Sequence, residues 1–114
     1  MAECLFCRVV AGTLPATVVH QTDRVVAFRD IAPQAPTHVL VVPRDHHPDA
    51  AAMVAADPEL AGVVLAEAAR VAEQEGIDRT GYRIVLNTGP GAGQTVFHVH
   101  AHVLGGRPLG WPPG

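Results

Sequence analysis

The chain has 114 residues, which suits one compact domain with a real core and is too short for two ordinary ones. Hydrophobic residues make up 48% of it, which excludes disorder as its general state, and a net charge of −3 lacks the basic excess of a nucleic-acid-binding surface. No apolar run approaches the roughly 20 residues that cross a bilayer, and "MAECLFCRVVAG" is a poor signal peptide, so a cytoplasmic protein with neither membrane nor nucleic-acid-polymer partner is expected.

Near the start, Cys4 and Cys7 form a C-x-x-C pair. In a reducing compartment such a pair holds a metal or does redox work more often than it forms a structural disulfide. Its place at the chain start, outside any strand–helix unit, speaks against a thioredoxin-type role. Two small buried hydrophobes are the plain alternative. Residues 5–11 read as a short helix stopped by Gly12. "TVVHQTDRVVAFRD" reads as two strands around a turn near Thr22 and Asp23. The prolines of "APQAP" mark a loop, and the β-branched "THVLVVPR" a third strand.

"DPELAGVVLAEAARVAEQEG" is the one clear helix. Asp57 suits the N-cap, Pro58 the first turn and Glu59 the positive end of the dipole. Leu60, Val63, Val64, Ala68, Val71 and Ala72 fall on one face, which suits core or a dimer interface, and Gly76 is a natural stop. "GYRIVLN" reads as a fourth strand and "QTVFHVHAHVLGG" as a fifth. Five strands close in sequence, with helices segregated between them, indicate an α+β fold around an antiparallel sheet, with one long and one short helix.

The fifth segment carries His98, His100 and His102 at alternate positions. On a strand they share one face with Val96 and Leu104, while Phe97, Val99, Ala101 and Val103 face the core. Three imidazoles on one face are improbable as bystanders. They suit either a catalytic zinc with an open position for water, or a nucleophilic imidazole whose neighbours position a phosphate and move protons. The preceding "NTGPGAGQT" is Gly-rich and carries Asn87, Gln94 and Thr95, groups that can approach and bond phosphate oxygens. It lacks the Gly-Lys-Ser/Thr ending of a P-loop and leads into a strand. Beside the histidines it favours phosphate chemistry.

"HVHAHVL" resembles the His-x-His-x-His pattern of the histidine triad superfamily, and "RDIAPQAPTHVLVVPR" with "HVLGGRPLGWPPG" is similar to its HINT branch, the purine nucleoside phosphoramidases. The likeness runs over nearly the whole chain, which reads as one histidine triad domain over residues 1–114. It implies hydrolysis of the P–N bond of an adenosine or guanosine 5′-phosphoramidate. His100 would be the nucleophile, flanked by His98 and His102, with His38 as a fourth active-site histidine. Asn87, Gly93, Gln94 and Thr95 would lie on the phosphate side, and Asp30 would bind the ribose hydroxyls. Phe6, Val9, Phe28 and Ile31 would line the base pocket, although each also suits plain core. The resemblance further implies a homodimer with the sheet extended across it. Its tail, residues 105–114, would reach the partner, bringing Trp111 to the other subunit's substrate. Triad proteins with a C-x-x-C pair bind structural zinc, here implying Cys4, Cys7, His46 and His98 as ligands, with His47 competing for the place of His46. Two other readings stay open: a zinc-dependent hydrolase with His98, His100 and His102 as ligands, and a purine-nucleotide-binding scaffold with weak turnover.

Overall fold

The computed structural model describes residues 4–114. A first helix, α1 (Leu5–Ala11), ends on Gly12, whose φ of 78° is the left-handed stop that glycine supplies without a side-chain clash. Strands β1 (Val18–Gln21), β2 (Val25–Arg29) and β3 (Thr37–Pro43) follow. Helices α2 (Ala50–Ala56) and α3 (Pro58–Gln74) come next, then β4 (Tyr82–Val85) and β5 (Ala101–Gly105). The five strands form one sheet in the order β1-β2-β3-β5-β4, antiparallel at every pairing. The α+β architecture therefore stands as expected.

β3 is the central strand, and all seven of its residues are buried. This explains why its sequence shows no polar alternation: both faces of the sheet are covered there. On one face Val25, Ala27, Val39, Val41, Ala101 and Val103 meet Leu60, Val64, Ala68, Val71 and Ala72 of α3. On the other, Val26, Phe28, Leu40 and Val42 form a smaller cluster against Phe6, Val9 and Val10 of α1. That thinner side leaves room for a cavity.

α3 starts as its sequence predicts. The Asp57 carboxylate accepts a hydrogen bond from the Leu60 amide, and Pro58 occupies the first turn. Glu67 breaks the apolar stripe: it is buried, and its carboxylate meets Nδ1 of His20 on β1.

Three expectations are corrected. Among the described residues there are three α-helices rather than two. α2 went unseen because its Ala-rich run has no apolar stripe and buries only Met53, although Asp49 caps it through the Ala52 amide. The fifth strand spans only Ala101–Gly105, not the whole of 94–106. Ahead of it the chain is pinned by other bonds, with the Val99 amide donating to the His47 carbonyl at 2.7 Å. Phe97, expected in the core, is 48% exposed, because the strict alternation that would bury it exists only inside a strand.

Candidate active site

The sheet brings His38 of β3 and His102 of β5 side by side, with ring centroids 5.2 Å apart. The His100 ring lies 4.9 Å from that of His102, just before β5 begins. A cavity of ≈ 390 Å³ opens beside them. His100, His102, Thr95 and Asp30 border its polar side, and Phe6, Val9, Phe28 and Ile31 its apolar side. Phe6 stands edge-on to both Phe28 and His100, at 5.5 Å and 4.9 Å. Ile31 is 97% exposed and so sits at the rim rather than in the core.

The hydrogen bonds fix the proton on each ring. The Gln34 amide donates to Nδ1 of His38 at 3.0 Å, so that nitrogen carries no hydrogen. The His38 proton is therefore on Nε2, which donates to Nδ1 of His102 at 2.9 Å. His102 in turn holds its proton on Nε2. His100 donates from Nδ1 to the His98 carbonyl at 2.8 Å, which leaves Nε2 with a free lone pair. Asp30 reaches within 3.5 Å of His38 through Oδ2, while its Oδ1 accepts the Ala32 amide.

All three rings are held neutral. Burial pushes His102 down to about 4, aided by neighbouring His100 and His38 and opposed by Asp30. Burial also lowers His100, against the opposing bond to the His98 carbonyl and the charge of Asp30. The same desolvation lowers His38, again with Asp30 in opposition. At neutral pH the site thus offers one unprotonated nitrogen and one N–H, a lone pair and a hydrogen-bond donor.

His98 has a different setting. It is fully buried and does not border the cavity. Its Nε2 donates to the Pro43 carbonyl at 2.8 Å. Its Nδ1 lies 3.4 Å from Cys4 Sγ, 3.5 Å from Cys7 Sγ and 3.2 Å from His46 Nδ1. Cys7 Sγ is 3.3 Å from His46 Nδ1. In a tetrahedral zinc site, bond lengths of about 2.3 Å to sulfur and 2.1 Å to nitrogen give N–N and S–N edges of roughly 3.4 and 3.6 Å. Those four separations stand near these values and all four donor atoms lie within 4.8 Å of one another, and the His98 bond to Pro43 is the outer contact that typically orients a ligating imidazole. His47 is not in the group.

This arrangement does not favour the alternative zinc hydrolase on His98, His100 and His102. The three histidines are not grouped as ligands: His98 turns to the cysteines, and His102 lies with Asp30 and His38. Asp30, His38 and His102 also lie close together. Both nitrogens of neutral His38 are engaged, so it has no lone pair left for a cation.

Asn87, Gly93, Gln94 and Trp111 are not brought to the cavity wall. Gln94 is buried and fully bonded. Its Oε1 accepts the Gly89 amide, and its Nε2 donates to the carbonyls of Pro48 and Val96. It braces the loop that presents Thr95. Trp111 is 85% exposed. Gln34 and Pro43 escaped sequence reasoning because they act through backbone groups, which leave no side-chain signature.

A five-stranded antiparallel sheet with paired neutral histidines on a small cavity defines a compact α+β protein built for histidine chemistry. Residues 11–109 match the HIT domain model, and the chain belongs to that family. It is 45% identical over 108 residues to the purine nucleoside phosphoramidase of Escherichia coli K12, covering 95% of this chain and 91% of that one. It is also 45% identical over 112 residues to a 14 kDa zinc-binding protein of Zea mays, covering 96% and 87%. A solved HIT family hydrolase from Legionella pneumophila superposes with a TM-score of 0.94 at 46% identity, over 98% of this chain and 100% of that one.

Proposed function

We propose that this protein hydrolyses the P–N bond of purine nucleoside 5′-phosphoramidates through a covalent nucleotidyl-His100 intermediate. The observation that carries the reading is the proton order along Gln34, His38 and His102, beside a His100 whose Nε2 is unprotonated. Similarity to a purine nucleoside phosphoramidase supports the substrate class.

The base packs among Phe6, Val9, Phe28 and Ile31, and Oδ2 of Asp30 accepts hydrogen bonds from the ribose diol. Thr95 offers its hydroxyl to the phosphate oxygens, next to the loop of Asn87, Gly93 and Gln94. Nε2 of His100 attacks the α-phosphorus, and the P–N bond breaks as the departing nitrogen, held by a hydrogen bond from Nε2–H of His102, takes a proton from a water molecule. The hydroxide left from that water then attacks phosphorus and releases the nucleoside monophosphate and free His100. His98 serves this step through its carbonyl.

Cys4, Cys7, His46 and His98 would hold a structural zinc, tying the first helix to the loop ahead of β5. Thiols left unbridged suit a reducing cytoplasm. Residues 1–114 act as one HIT domain that pairs with a second copy across α3 and the edge strand β4. The tail, residues 105–114, carries Trp111 to the partner's site; the exposure of that indole supports this placement.

Quenching turnover of adenosine 5′-phosphoramidate with an alkaline denaturant, which preserves a phosphorus–imidazole bond, followed by digestion at alkaline pH and mass spectrometry, tests the mechanism. The peptide bearing His100 should carry a nucleotidyl adduct that His100→Asn abolishes. An unmodified peptide under conditions where product accumulates would refute it.

A further inference from the structure

His98 contributes three groups to three different places. Its Nδ1 belongs to the Cys4, Cys7 and His46 cluster, its Nε2–H is fixed to Pro43, and its carbonyl accepts the Nδ1–H of His100. That carbonyl belongs to the His98–Val99 peptide plane. The other end of the plane, the Val99 amide, donates to the carbonyl of His47 at 2.7 Å. His47 follows His46, a member of the same cluster. The plane that orients the nucleophile is therefore held from both sides by neighbours of two donor residues.

A peptide plane is rigid, so a shift at either anchor rotates both of its polar ends together. The His100 ring follows, because its Nδ1 proton is bonded to one of those ends. Without a cation, two thiols and two imidazoles at these separations have only weak mutual hydrogen bonds to keep them in place. A filled tetrahedral site fixes four donors at once.

We propose that the Cys4/Cys7/His46/His98 cluster, when it holds zinc, is a positioning element for the nucleophile, setting the angle of the His100 ring through the His98–Val99 peptide. The inference rests on the phosphoramidase and zinc readings above. It goes beyond a stabilising role, because it ties metal occupancy to turnover rather than to folding alone. His46 and the two cysteines touch neither substrate nor reacting atoms and act only through that peptide.

The test compares zinc-loaded protein, the same protein stripped by a chelator with its zinc content measured, and the stripped protein refilled. Two readouts are taken on folded samples: kcat and KM on adenosine 5′-phosphoramidate, and the ring-nitrogen NMR signals of His100 without nucleotide. Stripping should lower kcat about 10- to 100-fold, as a small misplacement of a reacting group does. KM should stay within about twofold, because the base and ribose contacts are elsewhere. The Nδ1–H signal of His100 should broaden or move, and refilling should restore both. His46→Ala should mimic stripping, whereas His46→Cys, which keeps a zinc ligand, should keep kcat. If stripping unfolds the chain, this pair of variants decides at the highest zinc loading each reaches.

An unchanged His100 signal and kcat in folded, zinc-free protein would overturn the coupling. Equal losses in a His46→Cys variant that retains zinc would do the same, as would failure of the protein to take up zinc. Absence of turnover in the zinc-loaded protein would sink the phosphoramidase reading instead, and the NMR signal would still decide the coupling.

Discussion

At the scale of single residues the site depends on where protons are. His102 keeps a proton on Nε2 because its Nδ1 is occupied by His38, whose own Nδ1 is occupied by the Gln34 amide. On the proposed mechanism Nε2–H of His102 hydrogen-bonds the leaving nitrogen as charge develops there, and removing one such fixed donor costs about 10²- to 10³-fold. His102→Ala should therefore cut kcat by that order with an alkylamine leaving group. With an amine that departs easily without protonation, such as a nitroaniline, the loss should shrink to a few-fold. Steady-state kinetics across a series of leaving groups measures this, and equal losses for all amines would contradict the assignment. Part of this was legible in the sequence: the alternating histidines show their chemistry directly, whereas His38, Asp30 and the apolar wall were readable only through the family resemblance. The proton order was not, because it is imposed by the Gln34 amide and the His98 carbonyl, and any residue has those groups.

At the scale of elements, Asp57 serves two helices at once. It follows α2, caps α3 through the Leu60 amide, and binds Arg24 beside β2 at 2.6 Å. Losing an N-cap costs about 1 kcal/mol, and a half-exposed ion pair adds at most about as much. Asp57→Ala should therefore lower unfolding stability by about 1–2 kcal/mol in urea titration, with kcat unchanged because the cavity is built elsewhere. Gly105 is a tighter constraint. A Cβ there would stand 2.8 Å from Cδ1 and 3.0 Å from Cβ of Ile77. Overpacking of this kind costs about 1–3 kcal/mol. Gly105→Ala should show a loss in that range by the same titration, and Ile77→Ala should cost less in its background than in the unaltered protein. The cap was readable from Asp-Pro-Glu ahead of an apolar stripe. The close approach of Gly105 was not, since Ile77 lies 28 positions away in the chain and only the fold brings them together. The full length of the fifth strand misled for a similar reason. Local alternation continues back through Phe97, but there the Val96 carbonyl accepts from Gln94 and the Val99 amide donates to His47 in place of the ladder.

At the scale of the whole molecule, burying several neutral histidines makes stability depend on pH. His38, His100 and His102 all have folded pKa values below the ordinary 6.5, each chiefly through burial. Between the folded and unfolded values the unfolded chain binds more protons than the folded one, so unfolding free energy rises with pH. Stability is thus fully present above about pH 6.5 and drains as pH falls toward the folded values, about 4 for His102. For His102 alone the interval corresponds to a loss on the order of 3 kcal/mol by pH 4. Urea titrations at pH 7.5, 6 and 5 should show a steady fall. The fall should be shallower in His102→Asn, which has no proton to gain in that range. A wild-type curve equally stable at pH 7.5 and 5 would mean that these rings are not held neutral. It would also remove the electrostatic reason for an unprotonated Nε2 on His100, joining the fold's stability to its chemistry through one measurement.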